Sequence, residues 1–214
     1  MCAITGSPNI EKAFNLYQEG LKRGHSSSGI LFFNKKDFVV KRQKEPFTLE
    51  YLQTVLTKME GEPQYYLLHS RAPTNTTNQE FNEECSHPFN YKNYFVAHNG
   101  IITNFKDMPE SKFRDVDSSV IPLHLYDTKG DFAKVYERYT GLLTSWVFNQ
   151  TLNEAWVVKA GSSLFMDDDS FSSVQFEGSH PVIKDGVVYK ICTGNGTIFK
   201  EALQFEYNNP YFVL

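Results

Sequence analysis

At 214 residues, with 41% hydrophobic and 15% aromatic content, the chain can bury one substantial core, and a formal net charge of −4 gives no reason to expect nucleic acid or an anionic membrane as partner. No apolar run approaches the ~20 residues of a membrane span, and no basic segment followed by an apolar stretch opens the chain as a signal peptide would. Cys2, Cys85 and Cys192 are odd in number and far apart, which fits free thiols in a reducing, cytoplasmic setting and argues against a disulfide framework.

Residues 2–5 (CAIT) read as a short buried strand stopped by Gly6. Ser7 as N-cap and Pro8 at the first helical position predict a helix. Its apolar face carries Ala13, Leu16, Tyr17 and Leu21, and Gly24 closes it. Residues 29–33 and 38–41 read as a strand pair. Residues 48–59 follow as a helix with Leu49, Leu52, Val55, Leu56 and Met59 on one face. Strands are predicted at 65–70 and 94–97. A helix is predicted from Ser118 or Ser119, with Pro122 tolerated in its first turn, and another over 131–139. The last third reads as strands at 142–149, 154–158, 163–166, 171–176 and 187–192. No repeat, linker or low-complexity tract interrupts this order. It predicts a single domain over 1–214, of the α+β class with antiparallel sheets.

Five stretches place polar residues where strands are expected to end: MCAITG (1–6), RGHSSSGI (23–30), HSRAPT (69–74), HNGIITN (98–104) and DVDSSVI (115–121). Taken singly, each has an ordinary reading. An arginine after a strand is usually a surface residue, and Asn-Gly is usually a turn. His69, His87 and His98 are spaced by 18 and 11 residues with no second-shell pattern, so no metal site is expected. The acidic run Asp167–Asp169 reads as a solvated turn.

Taken together and in order, the five stretches resemble the glutaminase domain of the class II glutamine amidotransferases, members of the N-terminal-nucleophile hydrolases. The likeness covers about the first 120 residues, with His87–Phe89 (HPF) as a further matching element. GSSLF (161–165) and FSSVQFEG (171–178) match two late strands loosely. The resemblance implies a four-layer αββα sandwich of two antiparallel sheets flanked by helices. It also implies hydrolysis of the glutamine side-chain amide to glutamate and ammonia. Cys2 would be the nucleophile once Met1 is removed. Its own α-amine, with a reference pKa of about 7.7–8.0, would take the thiol proton.

By the same resemblance Asn99 and Gly100 form the oxyanion hole. Arg71, assisted by Thr74, grips the glutamine carboxylate, Asp117 takes the ammonium, and His98 joins the substrate site. Arg23 serves site architecture. Glutamine is the implied substrate and no cofactor is implied; members of the family carry the domain on a synthase that consumes the ammonia, so the expectation here is either a separate synthase subunit as acceptor or a stand-alone amidase. Departures from the family pattern are Ala3 for glycine, His25-Ser26 for Pro-Asp or Tyr-Asp, Ala72-Pro73 for Trp-Ala, and Asn75 for histidine. They open two alternatives: a larger γ-glutamyl amide as substrate, and a catalytically idle relative that binds a partner or ligand.

Overall fold

The computed structural model describes residues 2–72, 83–194 and 196–207. Two antiparallel sheets lie face to face. The first holds β1 (Ala3–Ser7), β2 (Ser27–Phe33), β3 (Phe38–Gln43), β4 (Tyr65–Arg71), β9 (Phe165–Met166), β10 (Phe171–Ser172) and β11 (His180–Pro181) in the order β11-β9-β10-β1-β4-β2-β3. The second holds β5 (Phe89–Tyr91), β6 (Tyr94–Ile102), β7 (Gly141–Asn149), β8 (Glu154–Lys159), β12 (Val187–Gly194) and β13 (Gly196–Gln204) in the order β13-β12-β8-β7-β6-β5.

The central strands of each sheet bury both faces, which is why they are apolar on both sides. Between the sheets, Ile4, Leu31, Phe33 and Leu67 meet Ala97, Trp146, Phe148 and Val157. Outside the first sheet lie α1 (Ile10–Leu21) and α2 (Leu49–Leu56), whose Ala13, Tyr17, Leu52 and Val55 cover Ile30, Phe32, Tyr66 and Leu68. Outside the second lie α3 (Val120–Asp127) and α4 (Phe132–Tyr136), packed on Val96, Leu143, Val147 and Val158. The result is the expected four-layer αββα sandwich.

The side-chain period of 2 then assigns faces. Cys2, preceding β1, falls on the inter-sheet face with Ile4. His69 and Arg71 share that face with Leu67, and Asn99 shares it with Phe95 and Ala97. His98 turns the other way, with Val96, toward α3.

Three local expectations are corrected. Helix α1 starts at Ile10 with Asn9 as its N-cap, because Ser7 is still in β1, paired with Tyr66. The Ser7 hydroxyl instead accepts from the Asn9 N–H at 3.1 Å. Gly24 does not close that helix, which ends at Leu21; a Cβ on Gly24 would lie 2.6 Å from the Ala72 nitrogen, so glycine is required there for close approach to the end of β4. The acidic run is not simply solvated: the Lys12 ammonium of α1 sits between Asp167 (2.7 Å) and Asp169 (2.9 Å).

Candidate active site

Cys2 is 8% exposed, and its thiol faces the Ala72 carbonyl at 3.6 Å. Burial pushes the thiol above its ordinary pKa. The positive charge of Arg71 opposes that shift and the negative charge of Asp117 adds to it, so both predicted clamps stand within electrostatic reach of the nucleophile. Arg23 is close enough for its guanidinium and the Cys2 thiolate to interact. It donates to the Ser173 carbonyl at 2.8 Å. Ser173 in turn brackets Ile4, accepting from its N–H at 3.1 Å and donating to its carbonyl at 2.9 Å. The arginine thereby ties the end of α1 to the segment that locks β1 in place.

Asn99 and Gly100 lie inside β6, paired with Thr144 and Leu143 of β7, and do not form the turn that Asn-Gly suggests. Gly100 is the reason. Its φ is +155°, and a Cβ there would lie 1.8 Å from the Leu142 carbonyl oxygen, so only glycine lets β6 continue against β7. Asn99 is 1% exposed, and both polar atoms of its side chain are buried without a hydrogen-bond partner. A buried amide in that state costs free energy, on the order of 1–3 kcal/mol. Its amide lies on the inter-sheet face.

Arg71, at the end of β4, and Asp117, in the one-turn helix Asp117–Ser119, line the same cavity of about 660 Å³. The Asp117 carboxylate is fixed from two sides. One oxygen accepts the Ile102 N–H and the other the Ser118 N–H, each at 2.7 Å. His98, expected in substrate binding, does not line this cavity. Its Nε2 must carry a proton, because it faces the Leu142 carbonyl at 2.7 Å, and its Nδ1 accepts the Ser118 hydroxyl at 2.8 Å. Burial holds the ring below its ordinary pKa and keeps it neutral. His98 thus contacts Ser118, whose N–H is bonded to Asp117, and feels the Asp117 charge directly. Thr74 lies outside the described residues. Among these residues no group of three His, Cys, Asp or Glu is arranged to hold a metal ion.

Beside the site, the rings of His69 and His87 lie tilted with 4.0 Å between centroids, and neither nitrogen of the buried His87 ring has a hydrogen-bond partner. Burial pushes His69 down to about 3, with the Arg71 charge contributing. Burial and neighbouring His69 hold His87 well below its ordinary range. Both therefore stay neutral in the fold but protonate near pH 6.5 once unfolded. The unfolded state binds more protons below that pH, so stability is complete above about 6.5 and is lost as pH falls toward 3. The thermal midpoint is expected to drop steadily between pH 7 and pH 5, at up to about 1.4 kcal/mol per pH unit for each histidine. A folded His87→Gln variant is expected to show a shallower acid limb. Equal acid limbs in the two proteins would contradict this account.

The residues that sequence reasoning passed over are Ser118, Ser173 and Arg114. The first two lie in stretches already singled out and act through the backbone or through a histidine, which a motif does not display. Arg114 lines the cavity with Arg71 and Asp117.

No family model matches the chain. Over 132 residues, 56% of its length, it is 26% identical to glutamine–fructose-6-phosphate aminotransferase (isomerizing) of Francisella tularensis, of which it covers 21%. Among solved structures, it resembles glutamine phosphoribosylpyrophosphate amidotransferase from B. subtilis with a TM-score of 0.66 at 17% identity, over 98% of this chain and 50% of that one. It resembles an allosteric regulatory enzyme of purine biosynthesis with a TM-score of 0.66 at 18% identity, again over 98% and 50%. A class-II glutamine aminotransferase domain protein from Silicibacter pomeroyi matches with a TM-score of 0.52 at 12% identity, over 94% of this chain and 99% of that one. The chain thus spans about a fifth of the curated relative and half of the first two solved chains. The likeness to glutamine amidotransferases holds in sequence over the matched region and in fold over nearly the whole described chain.

Proposed function

We propose, for a chain that shares its fold with the glutamine amidotransferases, that it hydrolyses the side-chain amide of glutamine to glutamate and ammonia through a thioester on Cys2. One observation carries this reading. The charges of Arg71 and Asp117, which line one cavity, both reach the buried thiol of Cys2, and the inter-sheet face also carries the buried, unpartnered amide of Asn99.

In this reading Met1 is removed, and the freed α-amine of Cys2 takes the thiol proton that burial otherwise retains. The sulfur attacks the amide carbon of glutamine. The developing oxyanion is met by the Asn99 side-chain N–H and the Gly100 N–H. Arg71 receives the α-carboxylate bidentately and Asp117 receives the α-ammonium, with Arg23 keeping β1 in register. Ammonia leaves with the relayed proton, and water then cleaves the thioester to glutamate. The ammonia passes to a separate synthase subunit, and the free thiols fit a reducing, cytoplasmic setting.

A chloromethyl ketone analogue of glutamine tests the reading directly. It is expected to add once to the mature protein, with the mass gain mapping to Cys2, and free glutamine is expected to slow the addition. No addition, or addition confined to Cys85 or Cys192, would favour the idle relative.

A further inference from the structure

The cavity at Arg71 and Asp117 is larger than free glutamine needs, and its position says which end of the substrate it serves. Cys2 (8% exposed) and Asn99 (1% exposed) do not line it. In this reading the amide end of glutamine passes toward the buried Cys2 and Asn99, away from the cavity. The α-end faces the cavity of about 660 Å³. Arg114, Asp115 and Val116 form a wall that this cavity shares with a second one of about 400 Å³.

Arg114 has the character of a ligand group left in waiting. One of its terminal nitrogens donates to the Ser119 carbonyl at 3.1 Å, while its Nε is buried with no partner. Beyond it, Arg42 is already committed, to the Pro88 carbonyl at 2.7 Å and the Asn90 side chain at 2.9 Å, and it feels the charge of Glu83. Arg71, Lys106 and Arg114 are the cations of the cavity on the Asp117 side, and Arg114 is the one on the wall it shares with the second cavity.

We propose that the site takes glutamine as the N-terminal residue of a short peptide whose terminal carboxylate is received by Arg114. This rests on the glutaminase reading above and names its substrate. The free α-ammonium still pairs with Asp117. Arg71 donates to the peptide carbonyl that replaces the α-carboxylate, and the next residue extends along the Arg114 wall. The balanced reaction is glutaminyl peptide plus water to glutamyl peptide plus ammonia. The peptide bond is untouched, because the carbon attacked lies at the other end of the glutamine side chain.

The experiment compares kcat/KM of the mature protein for free glutamine, glutaminyl-glycine, glutaminyl-glycinamide (which lacks the terminal charge) and γ-glutamyl-glycine. Glutaminyl-glycine is expected to exceed both glutamine and glutaminyl-glycinamide by about tenfold, the order expected for one charge-assisted hydrogen bond. In Arg114→Gln, checked for an unaltered thermal midpoint, the ratio of glutaminyl-glycine to glutaminyl-glycinamide is expected to fall to near one. Arg114→Lys is expected to restore part of it. A preference for free glutamine, a preference for γ-glutamyl-glycine, or a ratio unmoved by Arg114→Gln each overturns the peptide proposal while leaving amide hydrolysis at Cys2 standing. Absence of ammonia release from every amide overturns both readings.

Discussion

Cys2→Ala is expected to lower glutamine hydrolysis by at least ~10³-fold while leaving the fold intact, because it removes the attacking atom and nothing that holds the sheets together. The thiol is buried and its contact is a weak one, to the Ala72 carbonyl at 3.6 Å. The methyl of alanine fits where the Cβ already stands. The matching experiment leaves the sulfur in place and denies it its base. Protein that retains Met1 keeps the Cys2 thiol but has an amide where the amine should be. Since burial raises the thiol pKa, little thiolate forms unaided near neutral pH. Met1-retained protein is therefore expected to be about as inactive as Cys2→Ala, and excision of the residue to restore the rate. In the mature protein kcat/KM is expected to rise between pH 6 and 8 as the amine, with a reference pKa of about 7.7–8.0, loses its proton. Intact-mass spectrometry paired with ammonia release measures all of this. Full activity in either form would remove Cys2 from the mechanism.

Asn99→Ala separates rate from stability. The rate is expected to fall by ~10²–10³, the usual cost of one oxyanion donor. The thermal midpoint is expected to move by only a few degrees, since the amide lost makes no protein hydrogen bond and its burial is itself unfavourable. The neighbouring position behaves oppositely. A Cβ at Gly100 would strike the Leu142 carbonyl at 1.8 Å, so Gly100→Ala is a structural lesion before it is a catalytic one. Calorimetry beside steady-state rates distinguishes the two. A rate close to that of the parent in Asn99→Ala would remove this side chain from the oxyanion hole.

The sequence made the core legible because apolar periodicity has a direct physical cause. Leu52 and Val55 on α2, and Leu31, Phe33 and Leu67 on the strands, point where spacing put them. Strand β13 escaped notice because it is an edge strand with mostly exposed side chains, so nothing in its alternation is enforced by burial. Asn-Gly at 99–100 looked like a turn because both residues favour one. The cause of the glycine is a carbonyl of β7 that local sequence cannot display. The same holds for His98, whose partners Leu142 and Ser118 come from other elements. Motif order brought Arg71, Asn99 and Asp117 into view. Their facing directions came only from the sheets.

Strand β1, which Cys2 immediately precedes, lies between β10 and β4, in the middle of a sheet completed by a strand near residue 172. Synthesis proceeds at about 5–20 residues per second, so roughly 10–30 s separate the emergence of Cys2 from that of its last neighbour. In the proposed mechanism the bond before Cys2 is cut before Cys2 reaches its buried place, 8% exposed in the fold, so folding sets a deadline on activation. Slowing the trimming in the cell is expected to yield a stable protein population that stays silent afterwards, however long it waits.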